Sequence, residues 1–205
     1  MTASTAAEPA PRRAVVSFWC EQGLSSHAAE QLVRRLEESG RRYSLEQLSA
    51  KVQRLQRVLP DVDLAAMVDR DTELLEVDPG LAIRNMVVLV SCFPGKDMAL
   101  LLARQPRLLR EPELQARCDR TLAQLTRLHP SRDPRVVAWY IGEYPELLYR
   151  MDYYPHVRLL DELPIEIQNM FVVNGQGIGG LHKYYKQRRS TAYTSSTDSD
   201  VEAGF

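Results

Sequence analysis

The sequence predicts an all-α protein, a right-handed α-solenoid of helical repeats 34–36 residues long. Three observations carry that expectation. Prolines at 60, 94, 130 and 164 follow one another at intervals of 34, 36 and 34 residues. An aspartate stands three residues after each of the first three, at Asp63, Asp97 and Asp133. A leucine pair closes each unit, at Leu74-Leu75, Leu108-Leu109 and Leu147-Leu148. A fixed period of this length marks stacked supersecondary units that share one continuous core.

Each mark has a mechanical reason. Proline has no N–H and clashes with the preceding turn, so the four prolines end the helices before them. The aspartates accept the free N–H groups of the next helix and sit at its positive end, with Pro134 supporting the third cap from the first helical position. The helices that follow place apolar residues at Leu64, Met67 and Val68, at Met98, Leu101 and Leu102, and at Val136, Val137 and Ile141. That spacing buries one face. Thr72, Pro106 and Pro145 precede the leucine pairs, and the two prolines turn the chain so that the leucines plug the seam between neighbours. A second helix then runs back to the next proline, as in Leu114, Cys118, Thr121, Leu125 and Leu128.

The edges of the array follow the same logic. Ser25 or Ser26 caps HAAEQLVRRLEESG, a leading half repeat that Gly40 ends. Ser44 caps the next helix with Gln47 in the capping-box position. Downstream, HVRLLDELPIEIQ keeps Pro164 but has Ile167 where the aspartate belongs, as expected of a degenerate terminal unit. The organisation read from the chain is a tail or transit-like segment over 1–14, a repeat domain over 15–173, and a glycine-rich loop, basic segment and disordered acidic tail over 174–205. With 44% hydrophobic residues, one elongated domain has enough apolar surface for a shared core.

Composition excludes several classes. The net charge of -1 gives no global attraction to nucleic acid or acidic membranes. No apolar run reaches the ~18 residues of a membrane span. Cys20, Cys92 and Cys118 lie far apart in helical segments without CxxC spacing, which reads as reduced, buried thiols and no metal site. His27, His129, His156 and His182 stand singly, without an HExxH or G-x-S-x-G motif, so neither an enzyme nor a cofactor is expected. Gly175, Gly177 and Gly180 satisfy GxGxxG, but no parallel-strand pattern precedes them and the acidic partner position falls in the tail, so they read as a loop. Asp69, Asp71 and Glu73 imitate a calcium loop that Leu74 and Gly80 break at the glycine and bidentate-glutamate positions.

The segments LPDVDLAAMVDRDTELL, FPGKDMALLLARQPRLL and HPSRDPRVVAWYIGEYPELL, with GLSSHAAEQL as a weaker instance, resemble the mitochondrial transcription termination factor (mTERF) family over roughly 15–167. The L-x-P-x-x-D start and P-x-L-L end distinguish these repeats from tetratricopeptide and pentatricopeptide arrays. The resemblance implies two-helix repeats in a curved solenoid and location in a mitochondrion or chloroplast. It also implies binding of DNA or RNA along a basic surface, supporting transcription, RNA processing or ribosome assembly.

Candidate contacts follow from charge placement. Residues 61–78 are strongly acidic, an edge phosphate would avoid. Between Arg104 and Arg135 there are eight arginines against four acids. Arg117, Arg120 and Arg127 share one side of a helix, and relative to the repeat proline Arg84 matches Arg120 while Arg57 matches Arg127. Equivalent positions of stacked repeats form a row, as a phosphate track requires. The segment HKYYKQRR sets Lys183, Lys186, Arg188 and Arg189 beside two tyrosines, joining phosphate contacts to base stacking. Trp19, Trp139 and Tyr140 are expected in the core or seams. Two functions compete: nucleic-acid binding through these arginines, and a scaffold or accessory subunit that binds proteins of an organellar ribosome or other large complex. A continuous positive strip favours the first, a mixed or apolar strip the second.

Overall fold

The computed structural model describes residues 9–171, which contain ten α-helices and no β-strand. In chain order these are α1 (Arg12–Glu21), α2 (Ser26–Glu38), α3 (Leu45–Val58), α4 (Leu64–Arg70), α5 (Pro79–Cys92), α6 (Met98–Arg104), α7 (Leu114–Leu128), α8 (Pro134–Glu143), α9 (Leu147–Arg150) and α10 (Ile165–Met170). The all-α class is as the sequence predicts. The chain divides between Arg120 and Thr121, inside α7, into two compact units. Helix α1 begins at Arg12, three residues before the boundary read from composition. Lys183, Lys186, Arg188, Arg189 and the GxGxxG glycines lie outside the described residues.

In the first unit the expected devices recur with the same local geometry. Ser25 caps α2 by accepting from Ala28 N at 3.2 Å, and Gly40 follows the helix with φ +74. Ser44 and Gln47 form both bonds of the capping box, at 3.2 and 3.0 Å. Asp63 accepts from Ala66 N at 2.9 Å and Asp97 from Leu100 N at 3.1 Å. Helices α3 and α5 stop two residues before Pro60 and Pro94, where Leu59 and Phe93 leave the helical region at φ -131, ψ 68 and φ -128, ψ 62. Proline excludes the helical region for the residue before it.

The leucine pairs sit in short 3-10 turns, Thr72–Glu76 and Pro106–Arg110, between a seven-residue first helix and a second helix twice as long. All four leucines have no exposed surface. Each contributes roughly 2 kcal/mol of transfer free energy, which makes the turn the anchor of the unit. Helix α3 packs beside α5, and α5 lies on the Pro106–Arg110 turn.

The second unit starts the pattern again and then departs from it. Asp133 caps α8, bonding Arg135 N at 2.8 Å behind Pro134, and Leu147 and Leu148 are fully buried. No long second helix follows. Helix α9 has four residues and passes into a 3-10 turn at Met151–Tyr153. Pro155 explains the stop, since it removes a donor and holds Tyr154 at φ -126, ψ 46. Pro164 therefore ends no α-helix but precedes α10, which has no side-chain cap, and Ile167 is buried in place of the missing aspartate. His129, Tyr140 and Phe171 cluster with ring centroids 5.1–5.8 Å apart. Trp19 and Tyr140 are buried as expected, but Trp139 is 48% exposed, because it faces away from the side of α8 that buries Val137, Tyr140 and Ile141.

Candidate interaction surface

The site begins with what the second helices do on their inner side. Nine residues before each of the first three repeat prolines stands a polar residue: Lys51, Asn85 and Thr121. Asn85, only 1% exposed, donates from Nδ2 to the carbonyls of Leu108, Leu109 and Glu111 at 2.9, 3.1 and 2.8 Å. Lys51 reaches the Leu75 carbonyl at 3.4 Å and Glu76 at 2.7 Å. In these two cases a second helix donates to backbone carbonyls at the next unit's 3-10 turn, adding to the turn's own bonds. Sequence reading missed this pair, although a recurring polar residue on an otherwise apolar face was the available signal.

The acidic run of 61–78 is also structural. Asp69 bonds Arg35, Asp71 pairs with Arg110 Nε at 2.7 Å, and Glu73 pairs with Arg110 Nη1 at 2.7 Å and Arg41 at 3.6 Å. Glu76 takes Lys51 and the Tyr43 hydroxyl. Burial alone would raise the Glu76 carboxyl, but the bonds from Lys51 and Tyr43, with the charges of Lys51 and Arg41, bring it below its ordinary range. Burial, then the adjacent Glu76, pushes the Tyr43 hydroxyl up. These cations come from distant positions, so a charge imbalance in sequence becomes charge balance in space.

The arginines of the proposed row differ in their surroundings. Arg117 is drawn inward, its side chain 14% exposed and its Nε 3.3 Å from Glu111. The physical reason is that Cys118 beside it is core, which turns Arg117 towards the buried turn at Glu111. Arg84 is exposed but donates to the Pro112 carbonyl at 3.2 Å, fixing its direction. Arg57 and Arg120 are exposed in the first unit, and Arg127 is exposed in the second. At the position that holds Arg57 before Pro60 and Arg127 before Pro130, α5 carries Ser91.

What occupies the outer face of α5 is apolar. Ile83, Val87 and Val90, one above another at helical spacing, are 52%, 61% and 53% exposed. They stand eleven, seven and four residues before Pro94. The same positions before Pro60 are Ser49, Gln53 and Gln56, and before Pro130 they are Asp119, Ala123 and Thr126. The apolar ridge therefore belongs to α5 and not to the repeat pattern. The run LAIRNMVVLV conceals it, since a helix apolar on every side reads as buried.

Two hollows compete less well. One of about 270 Å³ in the first unit is lined by Val15, Val33, Arg12, Glu37, Arg41 and Tyr43. Arg12 pairs there with Glu37 at 3.2 Å and Arg41 with Glu73, so it offers compensated charge. The other, in the second unit, is an open depression of about 360 Å³ beside Arg135, Val136, Trp139 and Tyr140. No group of three or more candidate metal ligands occurs among the described residues. No helix among them is long and apolar enough to cross a membrane. Comparison with known proteins found no family model, curated protein or solved structure that matches the chain.

Proposed function

We propose that this chain is a short, divergent mTERF-like repeat protein that serves as a protein-interaction scaffold, an accessory subunit of an organellar ribosome or other large complex. In this reading the units stack as a right-handed α-solenoid, and the mitochondrial or chloroplast location follows from the family resemblance. One observation carries it: α5 exposes Ile83, Val87 and Val90 at positions where its sequence-equivalents are mostly polar. A repeat that needed only solubility would keep those positions polar, as Gln53 and Gln56 are.

The occupant that fits is an amphipathic helix of a partner protein, with an apolar stripe on the ridge and acidic residues at its flank. The ridge spans seven residue steps, about 11 Å, or two turns of a crossing helix. Arg84 flanks it on α5, and Arg54 and Arg57 stand exposed on the neighbouring α3. Those cations complement an acidic rim and orient the encounter, while the ridge supplies the desolvation. Aliphatic side chains give nothing to a phosphate backbone and no ring for a base to stack on. DNA or RNA binding is the second reading, favoured by the exposed Arg57, Arg84, Arg120 and Arg127.

A photocrosslinker placed at Val87 distinguishes them in organelle extract, with nuclease added only after irradiation. One protein of defined mass should be trapped, and Val90→Glu should abolish the adduct while the fold and its melting temperature hold. Transfer of the label to RNA or DNA, adducts only between copies of this chain, or a protein adduct indifferent to Val90→Glu would each reject the scaffold reading. For the second reading, a mobility-shift titration should lose salt-sensitive affinity when Arg57, Arg84 and Arg120 are reversed to Glu.

A further inference from the structure

Two of the three cysteines, far apart in sequence, share one place in the fold. Cys92 is the last residue of α5 and is half-buried, whereas Cys118, in the second turn of α7, is 3% exposed. Each thiol stands close enough to act on the other. The side-chain amide of Gln115, nearly one turn before Cys118, lies 3.8 Å from Cys92 Sγ and donates to Asp119 Oδ1 at 2.9 Å. We propose that Cys92 and Cys118 form a dithiol that a small disulfide of the glutathione class oxidises to an intramolecular disulfide, clasping the second helices of two consecutive repeats.

The surroundings set the order of events. Burial, with the neighbouring Asp119 carboxylate adding to it, raises both thiols above their ordinary range, Cys118 more strongly. The pair is thus slow towards peroxide at neutral pH, and entry falls to Cys92, the more exposed sulfur. Cys92 gives up its proton and attacks one sulfur of the oxidant. A mixed disulfide forms and one glutathione thiolate leaves, taking up that proton. Cys118 then loses its proton and attacks Cys92 Sγ, expelling the second glutathione as a thiol. Two thiols become one disulfide, and two electrons reduce one glutathione disulfide to two glutathiones.

The full chain, equilibrated at pH 8 in glutathione buffers of increasing oxidised fraction, tests this by intact mass and non-reducing peptide mapping. Expected is a loss of about 2 Da, a Cys92–Cys118 linked peptide, alkylatable Cys20 and full reversal by dithiothreitol. The melting temperature should rise by about 5–10 °C on oxidation. Cys118→Ser should stop at a glutathione adduct on Cys92, with Cys118→Ala in its place if the serine unfolds. A lasting adduct on Cys92 in the unsubstituted chain, disulfide-linked dimers, pairing through Cys20, or unchanged mass would overturn the proposal.

Discussion

Two corners of the first unit reach one backbone by different means. Between α4 and the Thr72–Glu76 turn the corner residue is Asp71, at φ -139, ψ 93. Between α6 and the Pro106–Arg110 turn it is Gln105, at φ -138, ψ 73. In the second corner Pro106 keeps the residue before it out of the helical region, a strictly local device. The first has Thr72 instead, and there Asp71 supplies the constraint by accepting from Glu73 N at 3.1 Å and pairing with Arg110. Arg110 belongs to the second corner. The proline corner is fixed by its own sequence, whereas the other is held by docking on its neighbour, so the two differ in what they depend on and not in shape.

If the shapes are equivalent, emptying either corner has the same cost. Leu74→Ala and Leu108→Ala should each destabilise by about 2–5 kcal/mol in urea unfolding, the largest effects expected here. A Leu74→Ala cost below half that of Leu108→Ala would break the equivalence. The donors above the two turns should differ instead. Asn85→Ala, which takes a donor from the buried Leu108 and Leu109 carbonyls and the part-buried Glu111 carbonyl, should cost about 2–3 kcal/mol. Lys51→Ala should cost under about 1 kcal/mol, because its ammonium is partly solvated and its main bond is an ion pair at the surface. Equal losses would mean that Lys51 carries the first turn as Asn85 carries the second.

The dependence itself is tested at the corner residue. Thr72→Pro gives the first corner the device of the second and should stabilise by about 0.4–1 kcal/mol. A double-mutant cycle between Asp71→Ala and Arg110→Ala should give a coupling of about 1 kcal/mol, shrinking in the Thr72→Pro background. An undiminished coupling would show that the ion pair serves something other than corner geometry.

This contrast also explains what the sequence made legible. Proline, the capping aspartate and the buried leucine pair act on their own neighbours, so Pro94, Asp97 and Leu108-Leu109 announce their roles within a few residues. Asp71 with Arg110, Lys51 with Glu76 and Asn85 with Leu108 act across 23–39 residues, and no local pattern names the partner. The pairing of Arg117 was illegible for the same reason. Arg117 turns inward to Glu111, six residues back and outside the i+3 and i+4 pairs a helix offers, so it looked free. The α5 ridge was hidden differently: Ile83, Val87 and Val90 are apolar like their buried neighbours Ala82 and Leu89, and only the packed register separates the two faces.

The residue before the repeat prolines carries the comparison to the turn that ends each second helix, with the smallest expected effect. Leu59 and Phe93 are buried there, and His129 takes the place before Pro130. Its Nδ1 accepts from Ser131 N at 3.2 Å, which requires an unprotonated nitrogen, and the ring packs on Tyr140 and Phe171. Burial holds its pKa below the ordinary value of about 6.5. On acidification the unfolded chain binds the proton first, so the stability contributed by neutral His129 is full above that value and is lost as pH falls through it towards the folded pKa. Urea midpoints of the unsubstituted chain should therefore drop between pH 7.5 and 5.5 by more than those of His129→Phe, which restores the residue type found before Pro94. Parallel pH profiles would mean that His129 is no weaker a plug than Phe93, and that the turn at Pro130 tolerates charge where those at Pro60 and Pro94 exclude it.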